Sequence, residues 1–151
     1  MDLVGEGAKV AELQGVPGAS ATIDRGAGFH QVADQSLQVA ASQTANFNRA
    51  EGMTVMENIL QSDGTIKGVF AHNDEMALGA VEAVAASGKD IKIVGFDATD
   101  DAQKAVKDGK MAATVAQKPD KMGETAIGTA VKIMAGETVE KSIPVEVELI
   151  K

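Results

Sequence analysis

The chain has no cysteine, no tryptophan and no tyrosine, and only three prolines in 151 residues. Without cysteine there is no disulfide, no thiol nucleophile and no zinc site built on thiolates. That absence is compatible with reducing and oxidising compartments alike. Aromatics amount to 3%, as four phenylalanines, too few rings for a stacking platform that tracks single-stranded nucleic acid. No apolar run approaches the ~20 residues that cross a bilayer. The opening MDLVGEGAKV lacks a basic stretch followed by an apolar one, so a signal peptide is not expected within it. Positive charge is in deficit as well. Fourteen Lys and Arg stand against 22 Asp and Glu, a net charge of −8, which argues against nucleic acid or an anionic membrane as the main partner.

What is present is the composition of a globular chain, 44% hydrophobic and 24% charged, long enough for one domain and short for two. Short runs rich in β-branched residues alternate with longer segments of helical period. Strands are expected at Lys9–Leu13, Leu37–Gln43, Ile66–Ala71, Ile91–Phe96 and Met111–Ala116. Between them lie a helix of about fourteen residues capped by Ser20, with Ala21, Gly28, Phe29, Val32 and Ala33 as its apolar face, and one from about Asn48 to Gln61. An Ala-rich helix follows, capped by Asn73 or Asp74 and ending near Gly88, then a short one capped by Thr99. Pro119 opens the last helix, which Gly136 stops. Ile143–Ile150 alternates apolar and acidic residues and reads as a half-exposed edge strand. Strict β–α alternation needs crossover connections, hence a parallel sheet. The expected fold is therefore a flavodoxin-like three-layer α/β/α sandwich, with a mainly parallel five-stranded sheet plus a carboxyl-terminal edge strand, forming one domain over residues 1–151.

In such a sheet ligands bind outside the carboxyl ends of the strands. The residues there are Gly15–Arg25, the loop Ala45–Arg49, His72–Glu75, Asp97 and Gln117–Lys118. An arginine fork, a carboxylate, amides that both donate and accept, and one ring suit a neutral polyhydroxylated ligand. From position alone, Asp97 and Asn73 serve equally as caps or turn formers. Arg25 equally reads as a solvated charge, and Phe47 as a ring folded back on the core. His30 and His72 lack partners at ligand spacing and read as structural or exposed, and the methionines as core filler. GEGAK is no phosphate loop, because it precedes the first strand and lacks the GK[ST] ending. No GxSxG elbow occurs, and Glu51, Glu57, Asp74, Glu75 and Asp97 show no acid–base pairing. Lys118-Pro119 follows the fifth strand as in phospho-receiver domains, but the first strand ends in Leu13-Gln14-Gly15 without their acidic residues. No metal or cofactor is expected.

The segments ELQGVPGASATIDRGAGF, ANFNRAEGM, VFAHNDEMALGA, IVGFDATDD and KMAATVAQKPD, in this order, closely resemble the ribose-binding proteins of bacterial ABC transporters, of the type I periplasmic binding protein family. VFAHNDEMALGA by itself is shared with LacI-type repressors. The resemblance runs over essentially the whole chain and implies a carboxyl-terminal lobe. In that family the sugar lies between two lobes joined by a hinge. Residue by residue, it implies that Arg25, Phe47, Asn73, Asp97 and Gln117 face a monosaccharide such as ribose, with Phe47 stacked on its ring. It also implies a non-catalytic role in the periplasm, beside an amino-terminal lobe and a membrane permease. The alternative is the ligand-sensing lobe of a LacI-type repressor. A small flavodoxin-like enzyme has no constellation to support it.

The amino-terminal lobe's contacts are absent from this sequence, and Met1–Val4 looks like the stump of the helix that precedes the first strand in the family. Two expectations follow about packing. The helix Asp120–Ala135 should dock its apolar residues Ile127, Val131 and Met134 on this sheet, or on a twin's sheet in a homodimer formed by helix swapping. Ile143–Ile150 should pair at a sheet edge.

Overall fold

The computed structural model describes residues 3–151. Six strands form one sheet: β1 (Lys9–Gln14), β2 (Gln38–Thr44), β3 (Gly68–Ala71), β4 (Lys92–Asp97), β5 (Ala113–Ala116) and β6 (Glu148–Ile150). Their order is β2-β1-β3-β4-β5-β6. The first five are parallel and β6 runs antiparallel to β5. The order 2-1-3-4-5 is the flavodoxin-like one. The helices are α1 (Ser20–Ser36), α2 (Arg49–Ser62), α3 (Asp74–Ser87), α4 (Asp100–Lys107) and α5 (Pro119–Met134).

Most helix starts follow local hydrogen bonding. Asn48, Asn73 and Thr99 each accept the backbone N–H three residues on, opening α2, α3 and α4, and Gly88 and Gly136 supply positive φ just past α3 and α5. Ser20 is a correction. It is the first helical residue, and Ala19 stands at the cap without a side-chain bond. The turn is tied instead by the Thr22 hydroxyl donating to the Val16 carbonyl at 2.8 Å. The inward face of α1 is also shifted from the expected stripe, to Thr22, Gly26 and Ala33, with Val32 exposed. Gly26 sets this rotation, since a Cβ there would meet the His72 ring at 3.3 Å and the Glu12 carboxylate at 3.4 Å.

One core fills the space between the sheet and the α2–α3 pair, built from Leu13, Met56, Ile59, Val69, Met76 and Ile93. α2 and α3 meet backbone to backbone. A Cβ at Gly52 would lie 2.7 Å from the Met76 carbonyl oxygen, and one at Gly79 would overlap the Arg49 carbonyl. Backbone cannot yield as a side chain can, so Gly79→Ala is expected to destabilise the fold by about 1–3 kcal/mol. Urea unfolding checks this, and a midpoint matching the wild type would mean the helices separate freely.

The opposite sheet face is covered in part by α1, with Phe29 stacked on Phe70 at 5.1 Å between ring centroids. The expected docking of the last helix on the sheet is overturned. No residue of α5 is buried, and Ile127 and Val131 are 69% and 61% exposed. One side of α5, with Met122, Ala126 and Ile133, lines a groove against Ile143 and Val145 of the return segment. That side of the helix thus faces its own return segment across an open groove, and its other side is open as well. Of the expected final strand, only Glu148–Ile150 pairs, against Thr114–Ala116. Met1 and Asp2 lie outside the described residues, and Leu3 and Val4 form a turn, not the end of a helix.

Candidate functional site

The topology brings all five candidate residues to the carboxyl end of the parallel strands. Three of them are joined directly. Asp97 ends β4, and its Oδ1 accepts from Arg25 Nη2 at 3.1 Å and from Gln117 Nε2 at 2.7 Å. Arg25 reaches across from α1. Its Nη1 donates to the His72 carbonyl, and its guanidinium lies 4.0 Å from the centre of the Phe96 ring, a cation–π arrangement. Both bonds to Asp97 fall on Oδ1, and among the described residues Oδ2 carries none. The two charges of the pair cancel, and the shelf offers directed donors and acceptors.

Asn73 and Phe47 form the second group. Asn73 Oδ1 caps α3 through the Met76 N–H at 3.0 Å, and its Nδ2 donates to the Phe47 carbonyl at 3.4 Å. The cap reading of Asn73 is therefore realised, with one amide proton left over. Phe47 is half-buried against the core. The tip of its ring presses against Gly15, where any Cβ would overlap it. The two groups meet at His72 and Asn73, consecutive residues after β3.

Among the described residues, left-handed backbone at non-glycine positions is confined to this end of the sheet. The non-glycine residues with positive φ among those described are Asn46 (53°), Phe47 (59°), Asp97 (115°) and Ala98 (55°). Such conformations cost of order 1–3 kcal/mol each and persist where the surroundings over-determine them. Asn46 is held by its Nδ2 bond to Glu51 at 2.6 Å and by the Thr44 hydroxyl at 3.3 Å. The Asp97-Ala98 turn is held by Ala98 N–H donating to Thr114 Oγ1 at 3.2 Å and by Thr99 N–H donating to Asp74 at 2.8 Å.

With this geometry in place, comparison with known proteins is direct. The periplasmic binding protein domain family matches residues 1–138. The chain belongs to that family. It is 56% identical over 148 residues to the ribose import binding protein of Bacillus subtilis, covering 98% of this chain and 48% of that protein. The Escherichia coli K12 ribose import binding protein is 51% identical, over 97% of this chain and 50% of its own length. Among solved structures, a periplasmic solute-binding protein of Actinobacillus succinogenes with bound D-allose superposes at a TM-score of 0.90 with 32% identity, covering 99% of this chain and 54% of that one. The chain spans about half the length of the curated relatives it matches. No helix among the described residues is long and apolar enough to cross a membrane.

The binding-protein fold also buries polar groups here whose partners sequence reasoning did not identify. Asp74 is fully buried and accepts from Thr114 Oγ1 at 2.6 Å and from Thr99 N–H. Burial raises its pKa, partly offset by those bonds. Gly95 makes room for it, since a Cβ there would overlap the carboxylate. Glu12 and His72 form a second buried pair, with both side chains inaccessible and 2.8 Å apart. His72 is thus structural, as one of its two readings had it, and His30 stands partly exposed between Glu12 and Asp34. The available signal was a lone glutamate inside the apolar run KVAEL, where a buried charge demands a partner.

Burial pushes the Glu12 pKa up, but hydrogen bonds from His72, Ser42 and Gln14 outweigh it and hold the group at about 2. A depressed carboxylate stabilises the fold above its unfolded pKa, and that contribution is lost as pH falls towards the folded value. Thermal melts should therefore decline steeply between the ordinary glutamate range and about pH 2. In Glu12→Gln that slope should be visibly shallower, and identical slopes would remove Glu12 from the acid response.

Proposed function

We propose that this chain is one lobe of the sugar-binding component of an ABC importer, taking ribose or a similar monosaccharide without transforming it. The observation that carries the reading is Asp97. A non-glycine residue at a φ of 115° gathers an arginine and a glutamine onto one carboxylate oxygen at the topological end where such sheets bind ligands. In this reading Asp97 Oδ2 and Arg25 bond sugar hydroxyls, Asn73 bridges two of them with its remaining donor, and Gln117 adds a contact where the chain leaves the sheet. Phe47 offers its ring to the apolar face of the sugar. Support comes from relatives named for ribose import that match 97–98% of this chain, which also favour transport over a LacI-type sensing lobe.

The same reading assigns the protein to the periplasm, in partnership with a membrane permease and an amino-terminal lobe that completes the site. The open stripe Ile127, Val131 and Met134 on α5 is the surface we assign to that lobe. Helix exchange between two copies of this chain is the other use of the stripe. The test is calorimetry on this chain joined to the amino-terminal half of the Bacillus subtilis relative. Ribose binding in the micromolar range or tighter is expected, and a folded fusion that releases no heat with ribose would overturn the proposal.

A further inference from the structure

Three of the five proposed sugar residues converge on a histidine that faces no ligand. His72 follows β3 and is fully buried. Its carbonyl accepts from Arg25 Nη1, it precedes Asn73 directly, and its Nδ1 accepts from the Gly15 N–H at 3.4 Å. Gly15 is the residue against which the tip of the Phe47 ring stands. The other ring nitrogen, Nε2, is 2.8 Å from Glu12 Oε1. The partners fix the tautomer. The Gly15 amide can only donate, so Nδ1 is bare, and the Glu12 carboxylate accepts, so Nε2 carries the proton.

Glu12 is itself held from all sides. Its Oε2 accepts from the Ser42 hydroxyl and from Gln14 Nε2 at 3.0 Å, and His30 Nε2 stands 3.3 Å away. Gly26 of α1 packs over the pair, where a Cβ would stand 3.3 Å from the His72 ring and 3.4 Å from the Glu12 carboxylate. The two residues therefore tie β1, β2, α1 and the end of β3 into one fixed unit beneath the shelf. Packing alone does not call for this. An apolar pair of similar volume would fill the space as stably, but it could not fix the Gly15 amide.

We propose that the buried His72–Glu12 pair is a positioning device for the sugar shelf, setting where the Phe47 ring and the Arg25 guanidinium stand. It acts through Gly15 and through the course of the backbone at residue 72, and it touches no sugar. The inference rests on the sugar-shelf reading for its purpose, but the positioning itself can be read without sugar.

The experiment compares the full chain with His72→Gln and His72→Leu by NMR. Glutamine can give an amide N–H to Glu12 and a carbonyl oxygen to Gly15, whereas leucine fills the volume and does neither. Without ligand, the Phe47 ring and Arg25 Nε–H signals should stay in place in His72→Gln and move in His72→Leu, and the wild-type His72 ring should show the Nε2–H tautomer. If His72→Leu does not fold, leaving Glu12 without its donor, the double variant Glu12→Gln/His72→Leu takes its place. With D-ribose added, apparent affinity should fall at least about tenfold in the leucine variant and remain within about threefold in the glutamine one. Unmoved Phe47 and Arg25 signals in a folded leucine variant would overturn the inference, as would equal losses in both variants. If the ligand-free signals behave as stated and ribose produces no response even in the wild type, the sugar reading falls and the positioning stands.

Discussion

Asp97→Ala, introduced into a two-lobed protein containing this chain, is expected to remove ribose binding by about a thousandfold or more. The variant deletes the acceptor shared by Arg25 and Gln117 and leaves a guanidinium whose side chain is only 14% exposed without its counter-charge. Hydrogen bonds to charged groups are worth about 1.5–3 kcal/mol each, and two of them end on this carboxylate. Asp97 is itself partly exposed, so the core is untouched and the chain should fold. Asp97→Gly separates the two effects, because glycine accepts a φ of 115° without strain. It should be more stable than the alanine variant and bind no better. Arg25→Ala should lose binding comparably. Calorimetry decides the matter: unchanged affinity in either alanine variant returns that residue to a structural role.

The second large effect concerns the chain by itself. Without a facing lobe, the shelf loses several hydrogen bonds at about 0.5–1.5 kcal/mol each, one stacking face and the enclosure that excludes water. The sum is on the order of 5 kcal/mol, a factor of thousands in affinity. The isolated chain should therefore hold ribose only weakly, in the millimolar range if the complete protein binds in the micromolar range. Micromolar binding by the monomeric chain would contradict this, because it would mean that one shelf suffices.

Much of the fold was legible because its signals are local. Strand–helix alternation, the cap at Thr99 and the glycine stops at Gly88 and Gly136 all act within a few residues, and each stands where the sequence put it. Helix α5 was misjudged for a definite reason. Periodicity shows that Ile127, Val131 and Met134 share a face, but it does not say what covers that face. The return segment faces the neighbouring side of α5 and the sheet did not take the other. Ser20 was misplaced by one residue because the Thr22–Val16 bond set the turn.

The candidate site divides along the same line. Arg25, Phe47, Asn73, Asp97 and Gln117 all lie in the wider set of residues that follow strands, at the end where such sheets bind ligands, and the resemblance to ribose-binding proteins singled them out of it. What holds them could not be selected, because those partners are distant in sequence. Glu12 and His72 are separated by 60 residues, and Asp74 serves Thr99 and Thr114, 25 and 40 residues away. Nor does any local pattern announce that Phe96 lies beneath the Arg25 guanidinium.

The most direct test of the sugar shelf is a residue-resolved NMR titration of this chain with D-ribose into the tens of millimolar, a range set by the weak affinity expected of one lobe. The account predicts saturable shifts confined to the amides around Arg25, Phe47, Asn73, Asp97 and Gln117, with the Asp97 and Ala98 amides among the largest. The groove on the sheet face lined by Val10, Phe29 and Val94 should stay silent. Saturable shifts in that groove with a quiet Asp97, or no localised response at any ribose concentration, would contradict it.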